Sequence, residues 1–264
     1  MAPSFGRSIS FPLSPARSAK RHIRSISLPC RSHPLLAHLH SHIAAVRSWA
    51  ADPTTAAPSA GLAHIDALHG ALGELLVMLP EAQNAASDRL LDAFVLLADA
   101  HRGFQETLLA LKADVADVQA ALRRRDAARL ASAARSQRKN DKELARLAAT
   151  VAAKCARLIN GTTTATAEEA ALMDAVAASA AASAAVFSAA ASMSASVSSS
   201  SSKKTSAFAA FTKKDTSSEM AEVAPEKLEE LAQCIDDCEN GSEKVFRTII
   251  RTRVSLLNIR TPAI

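Results

Sequence analysis

The stretch LLDAFVLLADAHRGFQETLLALKADVADVQAAL, residues 90–122, decides the fold. Leu90, Phe94, Leu97, His101, Phe104, Leu108, Leu111, Val115, Val118 and Leu122 recur at alternating spacings of four and three, which draws one heptad seam along a single helix. At ~1.5 Å of rise per residue this helix is about 50 Å long. That exceeds what a small compact domain needs, so an elongated bundle or a coiled-coil partner has to cover the seam. His101 sits at a core position of the seam. A polar residue there commonly fixes register, which makes His101 the candidate register-setting residue. A satisfied core histidine is the plainer alternative to a pH switch.

Shorter stripes flank the seam. Pro34 suits a first helical turn, and Leu35, Leu39, Ile43 and Val46 lead to Trp49 along one face. Residues 51–61, with Pro53 and Pro58, read as a loop. Leu62, Ile65, Leu68, Leu72, Leu75 and Leu79 form a second amphipathic helix that Pro80 ends. After the seam, Leu144, Leu147, Val151, Cys155 and Leu158 mark a fourth helix, stopped by Asn160 and Gly161. Thr166 and Glu169 have capping-box spacing and open an Ala-rich fifth. Residues 175–197 are uncharged and reach the ~20 residues a bilayer span needs, but Ala and Ser gain little from hydrocarbon, and a soluble helix is expected.

Residues 198–224 are rich in Ser and Lys and read as a flexible linker. Pro225 then opens a last helix with Leu228, Leu231, Ile235, Cys238, Ser242, Val245, Ile249, Thr252 and Leu256 on one face. Gly241 could kink it. It begins acidic and ends basic, complementing its own dipole, and its acidic half offers a partner to the basic fourth helix. The expected fold is all-α: an elongated antiparallel bundle with coiled-coil-like long helices over 33–197, a C-terminal helix over 225–260 docking back on it, and a disordered basic arm over 1–32.

Composition agrees. The chain of 264 residues has 59 alanines, as many as its Leu, Ile, Val and Phe together, with 7 glycines and no tyrosine. A sheet or a Gly-rich nucleotide loop is hard to build from this. No Ser/His/Asp order or paired-carboxylate cleft is visible, so neither an enzyme nor a small-molecule substrate is expected. Of the four cysteines, none makes a CxxC pair, and reduced thiols in a cytoplasmic chain are expected. His38 and His42 lie one turn apart, with His33 and His40 nearby, but no carboxylate or cysteine completes a metal site. No cofactor is expected.

The net charge of +5 hides an asymmetry. The arm holds Arg7, Arg17, Lys20, Arg21, Arg24 and Arg31, and no acid precedes Asp52. A transit peptide is the minority alternative, opposed by the prolines. A second block runs from Arg123 to Arg157, with eleven Lys or Arg against Asp126, Asp141 and Glu143. Arg123, Arg124, Arg125 and Arg129 are its candidate anion-binding residues. Without interleaved aromatic residues nucleic acid is not expected. A solvated helix face, or a peripheral position on anionic membrane, remains.

The arm repeats one pattern: Arg7-Ser8-Ile9-Ser10-Phe11-Pro12 and Arg24-Ser25-Ile26-Ser27-Leu28-Pro29. Both resemble the phosphoserine motif of 14-3-3 proteins, with arginine three before the serine and proline two after. Phosphate on Ser10 or Ser27 would give an arginine cluster nearly two negative charges to grip. Ser10 and Ser27 are seventeen residues apart, up to ~55 Å when extended, so one dimeric reader could engage both.

Four segments carry a wider resemblance: RSHPL from Arg31, ELLVMLP ending at Pro80, DVQAALRRRD from Asp117 to Asp126, and LEELAQCIDDCENGSEKVFRTIIRTRVSLLNI from Leu228 to Ile259. Together they resemble the plant Bypass-related family, from Arg31 onward, most specifically in the C-terminal block. The resemblance implies a helical, plant-specific, non-enzymatic protein connected with root and shoot development, whose relatives are linked to root-to-shoot signalling or to vesicle-tethering partners. The family defines no catalytic or ligand residue. The Ala- and Ser-rich fifth helix and the Ser/Lys stretch depart from it.

Overall fold

The computed structural model describes residues 33–53, 57–85, 87–159, 166–210 and 223–261. Within them the elements are helices: α1 (Pro34–Ala51), α2 (Pro58–Met78), α3 (Pro80–Asn84), α4 (Asp88–Arg124), α5 (Ala127–Ile159), α6 (Ala167–Ala210) and α7 (Val223–Arg260). The all-α bundle is therefore present. The long helices alternate in direction along the chain. Asp114 and Asp117 of α4 meet Asn140 and Arg129 of α5 in reverse order, Gln137 and Cys155 of α5 meet Ser194 and Val176 of α6 in reverse order, and Lys112 and Asp88 of α4 meet Glu239 and Arg260 of α7 likewise. Long helices an even number of steps apart then run parallel where they touch. Arg89, His101 and Phe104 of α4 meet Glu169, Ser183 and Phe187 of α6 in the same order. So do Leu62, Asp66 and His69 of α2 with Gly241, Thr248 and Thr252 of α7.

The packing explains the composition. Helices α1, α2, α7, α4 and α5 each pack on the next, and α6 touches all of them. A helix in that position needs small side chains, because neighbours approach it from most directions. Accordingly Ala171, Ala175, Ala178, Ala180, Ala182, Ala190, Ser179, Ser183 and Ser194 of α6 are buried, with Leu172, Val176, Val186 and Phe187 filling the wider gaps. Residues 167–197 form a helix long and apolar enough to cross a membrane, but two thirds of the apolar window is buried inside the bundle.

The heptad seam is buried throughout, from Leu90 to Val118, with Leu122 half-buried. Phe104 stacks on Phe187 of α6, ring centroids 4.4 Å apart. Two glycines mark close approaches. A Cβ on Gly61 would lie 2.4 Å from the Trp49 ring, which fixes the α1–α2 hairpin. A Cβ on Gly241 would lie 3.0 Å from Leu62, so α7 runs unbroken through this glycine and uses it to approach α2, where the sequence suggested a kink.

Several boundaries differ from expectation. α2 starts at Pro58, within the expected loop, because proline takes the first helical position. Pro80 ends α2 and opens α3. α5 starts at Ala127, well before its stripe of large residues, because Ala133, Ala134, Gln137 and Asp141 continue the buried face in small and polar residues. α6 runs on to Ala210, past the expected start of the linker at 198; residues 211–222 of that expected linker lie outside the described residues. The acidic half of α7 does not pair with α5: α7 packs on α2, α4 and α6, and its Asp236 and Glu239 converge on Lys112 of α4 at 2.7 and 2.9 Å. Those two carboxylates raise the Lys112 pKa.

Candidate functional site

The basic block folds into one corner and one helix face. α4 ends in paired reverse bonds, Asp126 N to Ala121 O at 3.0 Å and Arg125 N to Leu122 O at 3.2 Å, the two-bond closure that usually wants glycine. Here Arg125 takes the left-handed conformation at φ 54°, ψ 35°. Asp126 then caps α5, its Oδ1 accepting from Arg129 N at 3.0 Å. Arg123, Arg124, Arg125 and Arg129 are thus gathered at the corner, all exposed. Arg129 is committed: its guanidinium lies 3.2 Å from Asp117, while among the described residues the three consecutive arginines have no ion-pair partner.

Beyond the corner, Arg135, Arg138, Lys139, Lys142 and Arg146 are exposed on α5, at the i, i+3, i+4, i+7 and i+11 positions of one face. Leu130, Ala133, Gln137, Leu144, Ala148 and Val151 bury the opposite face. Arg146 pairs within the helix with Glu143, whose pKa that hydrogen-bonded pair lowers. Among the described residues the other four have no ion-pair partner. The sequence showed this block's charge but not its face, since the length of α5 was hidden.

His101 is fully buried, its Nε2 3.0 Å from Ser183 Oγ. Ser183 already donates its hydroxyl proton to Ser179 O at 2.8 Å, so it must accept from His101, which fixes the Nε2–H tautomer and leaves Nδ1 as a bare acceptor. Burial holds the His101 pKa down to about 3. Sequence reasoning missed its companion, His69 of α2, also buried and 2.8 Å from Ser179 Oγ, with its pKa lowered by burial to about 4. Its position four after Ile65 and seven after Leu62 was the available signal. A third polar tie joins Gln137 Nε2 of α5 to Ser194 Oγ of α6 at 3.0 Å. Each tie crosses to α6 from a different helix, His69 from α2, His101 from α4 and Gln137 from α5.

Nearby, Asp141 is buried with its pKa raised, first by burial and also by Asp114, while a bond from Ser194 opposes the rise. His38 and His42 meet through their Nε2 atoms at 3.2 Å, and burial and His38 lower the His42 pKa. Among the described residues no group of three His, Cys, Asp or Glu could hold a metal. Burial pushes the Cys155 thiol up to about 11, making it a poor nucleophile. An open cleft of about 380 Å³ between α2 and α7 is lined by Asp66, Asp237, Asn240 and Lys244, but Thr248 and Gln233 already occupy the two carboxylates. Arg7, Ser10, Pro12, Arg24, Ser27 and Pro29 lie outside the described residues.

A family model described as Protein BPS1 matches residues 61–259. No curated protein and no solved structure matches. The family match runs from Gly61, where α2 meets Trp49, to Ile259 in the last turn of α7, and it takes in the polar ties to α6 and the basic face of α5. By that span the chain belongs to the BPS1 family.

Proposed function

We propose that this chain is a non-enzymatic helical scaffold in plant developmental signalling, in root and shoot, which presents its helix surfaces to partners and is switched by phosphorylation of its N-terminal arm. One observation carries the reading: the buried His69, His101 and Gln137 are engaged with Ser179, Ser183 and Ser194 in tying α6 to its neighbours, while free charge collects on an outer face. Chemistry placed this way serves recognition rather than turnover. The bundle supplies a rigid body, and the two Arg-Ser-x-Ser-x-Pro repeats supply the switch.

Affinity purification of the full chain from plant tissue, with and without phosphatase, tests the switch. The expected result is a partner of 14-3-3 type captured from untreated extract and lost after phosphatase treatment, or in the Ser10→Ala, Ser27→Ala variant. A partner set unchanged by either manipulation removes the switch.

A further inference from the structure

We propose that the outer face of α5 is a docking surface for an anionic lipid bilayer, with Arg135, Arg138, Lys139 and Lys142 meeting the headgroups. This deepens the scaffold reading by naming one partner, and it moves the anion-binding role from the α4–α5 corner, where Arg129 is held by Asp117, to the length of the helix.

Three features favour a bilayer. The four cations without an ion-pair partner lie on one face of a single helix, spread over about 10 Å at ~1.5 Å per residue, opposite the face that packs on α4 and α6. All of them are exposed among the described residues. Next, the other exposed residues of that face are small, Ala149 and Ala153 on it with Ser136 and Ala145 at its edges, save one further cation, Arg157, a turn past Ala153. Protein interfaces concentrate their energy in a few aromatic, arginine or large apolar anchors seated in pockets, and this face has arginines but no aromatic or large apolar residue. A fluid layer of headgroups needs no anchor, because the lipids rearrange around fixed charges. Finally, the acids of the helix are withdrawn: Asp141 is buried on the far side and Glu143 is bound by Arg146. The face therefore acts at headgroup level, without insertion, and its hold must weaken with salt.

The test floats the purified full chain with phosphatidylcholine vesicles, with and without phosphatidylserine, across a salt series. The expected result is flotation only with phosphatidylserine, lost at high salt. In the Arg135→Gln, Arg138→Gln, Lys139→Gln, Lys142→Gln variant binding should weaken by on the order of several hundredfold, at roughly fivefold per charge. Those side chains are exposed, so the variant should melt like the parent by circular dichroism. The same substitution at Arg123, Arg124 and Arg125 should cost less, and the basic arm is intact in both variants. Equal flotation with neutral vesicles, or undiminished binding of the four-residue variant, overturns the proposal. So does a parent chain that ignores phosphatidylserine but binds soluble polyglutamate through the same four residues, which assigns the face to an acidic protein. The four-residue variant retains Ser10 and Ser27, so its phosphate-dependent partners should be unchanged and the two readings fail separately.

Discussion

Asp141 carries a cost that a single atom exchange can remove. Its carboxylate is buried, faces Asp114 across the α4–α5 contact, and has its pKa raised mainly by loss of water. A carboxyl whose pKa is higher folded than unfolded favours the unfolded state once the pH exceeds the ordinary carboxylate range, because the unfolded chain ionises more freely. Asp141→Asn keeps a group able to bond Ser194 and discards the charge. The variant is expected to have a higher urea midpoint than the parent at pH 7, with the gain vanishing at low pH where the parent is protonated. A lower midpoint at pH 7 would show that the charge is compensated by Arg138.

Helix α6 is the element on which the packing depends, and it was the least legible. Its stripe could not be found by periodicity, because alanine and serine occur on every side and the helix is covered on most of them. The long seam of α4 was legible for the opposite reason: large residues on one side and charge on the other leave a clear period. α5 fell between these cases, its N-terminal half hidden by small buried residues. Of the candidate site, the arginines were plain in the sequence, but which of them remain free depends on Asp117 and Glu143 reaching across a turn. At Ala178, fully covered in α6, leucine has no space to occupy. Ala178→Leu should cost about 1–3 kcal/mol in chemical denaturation, as overpacked cores do, whereas Ala181→Leu on the exposed side of the same helix should be nearly neutral.

At the scale of the whole molecule, the two buried histidines make stability depend on pH. Both are neutral when folded, with pKa values lowered to about 4 and about 3, against about 6.5 in an unfolded chain. The sign follows: below 6.5 the unfolded state takes up protons that the folded state refuses, so stability is complete above 6.5 and falls as the pH drops toward the folded values, by up to about 1.4 kcal/mol per pH unit for each group. Urea midpoints measured at pH 7, 6 and 5 should fall progressively, and His101→Gln should flatten that fall while lowering the midpoint at pH 7. A midpoint independent of pH over this window would mean that the histidines are not sealed from protons.

The central place of α6 also sets a timetable. Chain order puts the middle of the bundle next to last: α1, α2, α4 and α5 leave the ribosome before the helix they surround, and α7 comes only afterwards. The α1–α2 and α4–α5 hairpins can close locally as they emerge, but each then waits with an apolar face unoccupied until α6 arrives, and α2 and α4 wait longer for α7. Nascent chains halted before residue 167 should therefore be the ones that hold chaperones and aggregate on release, while chains completed through Arg260 should not.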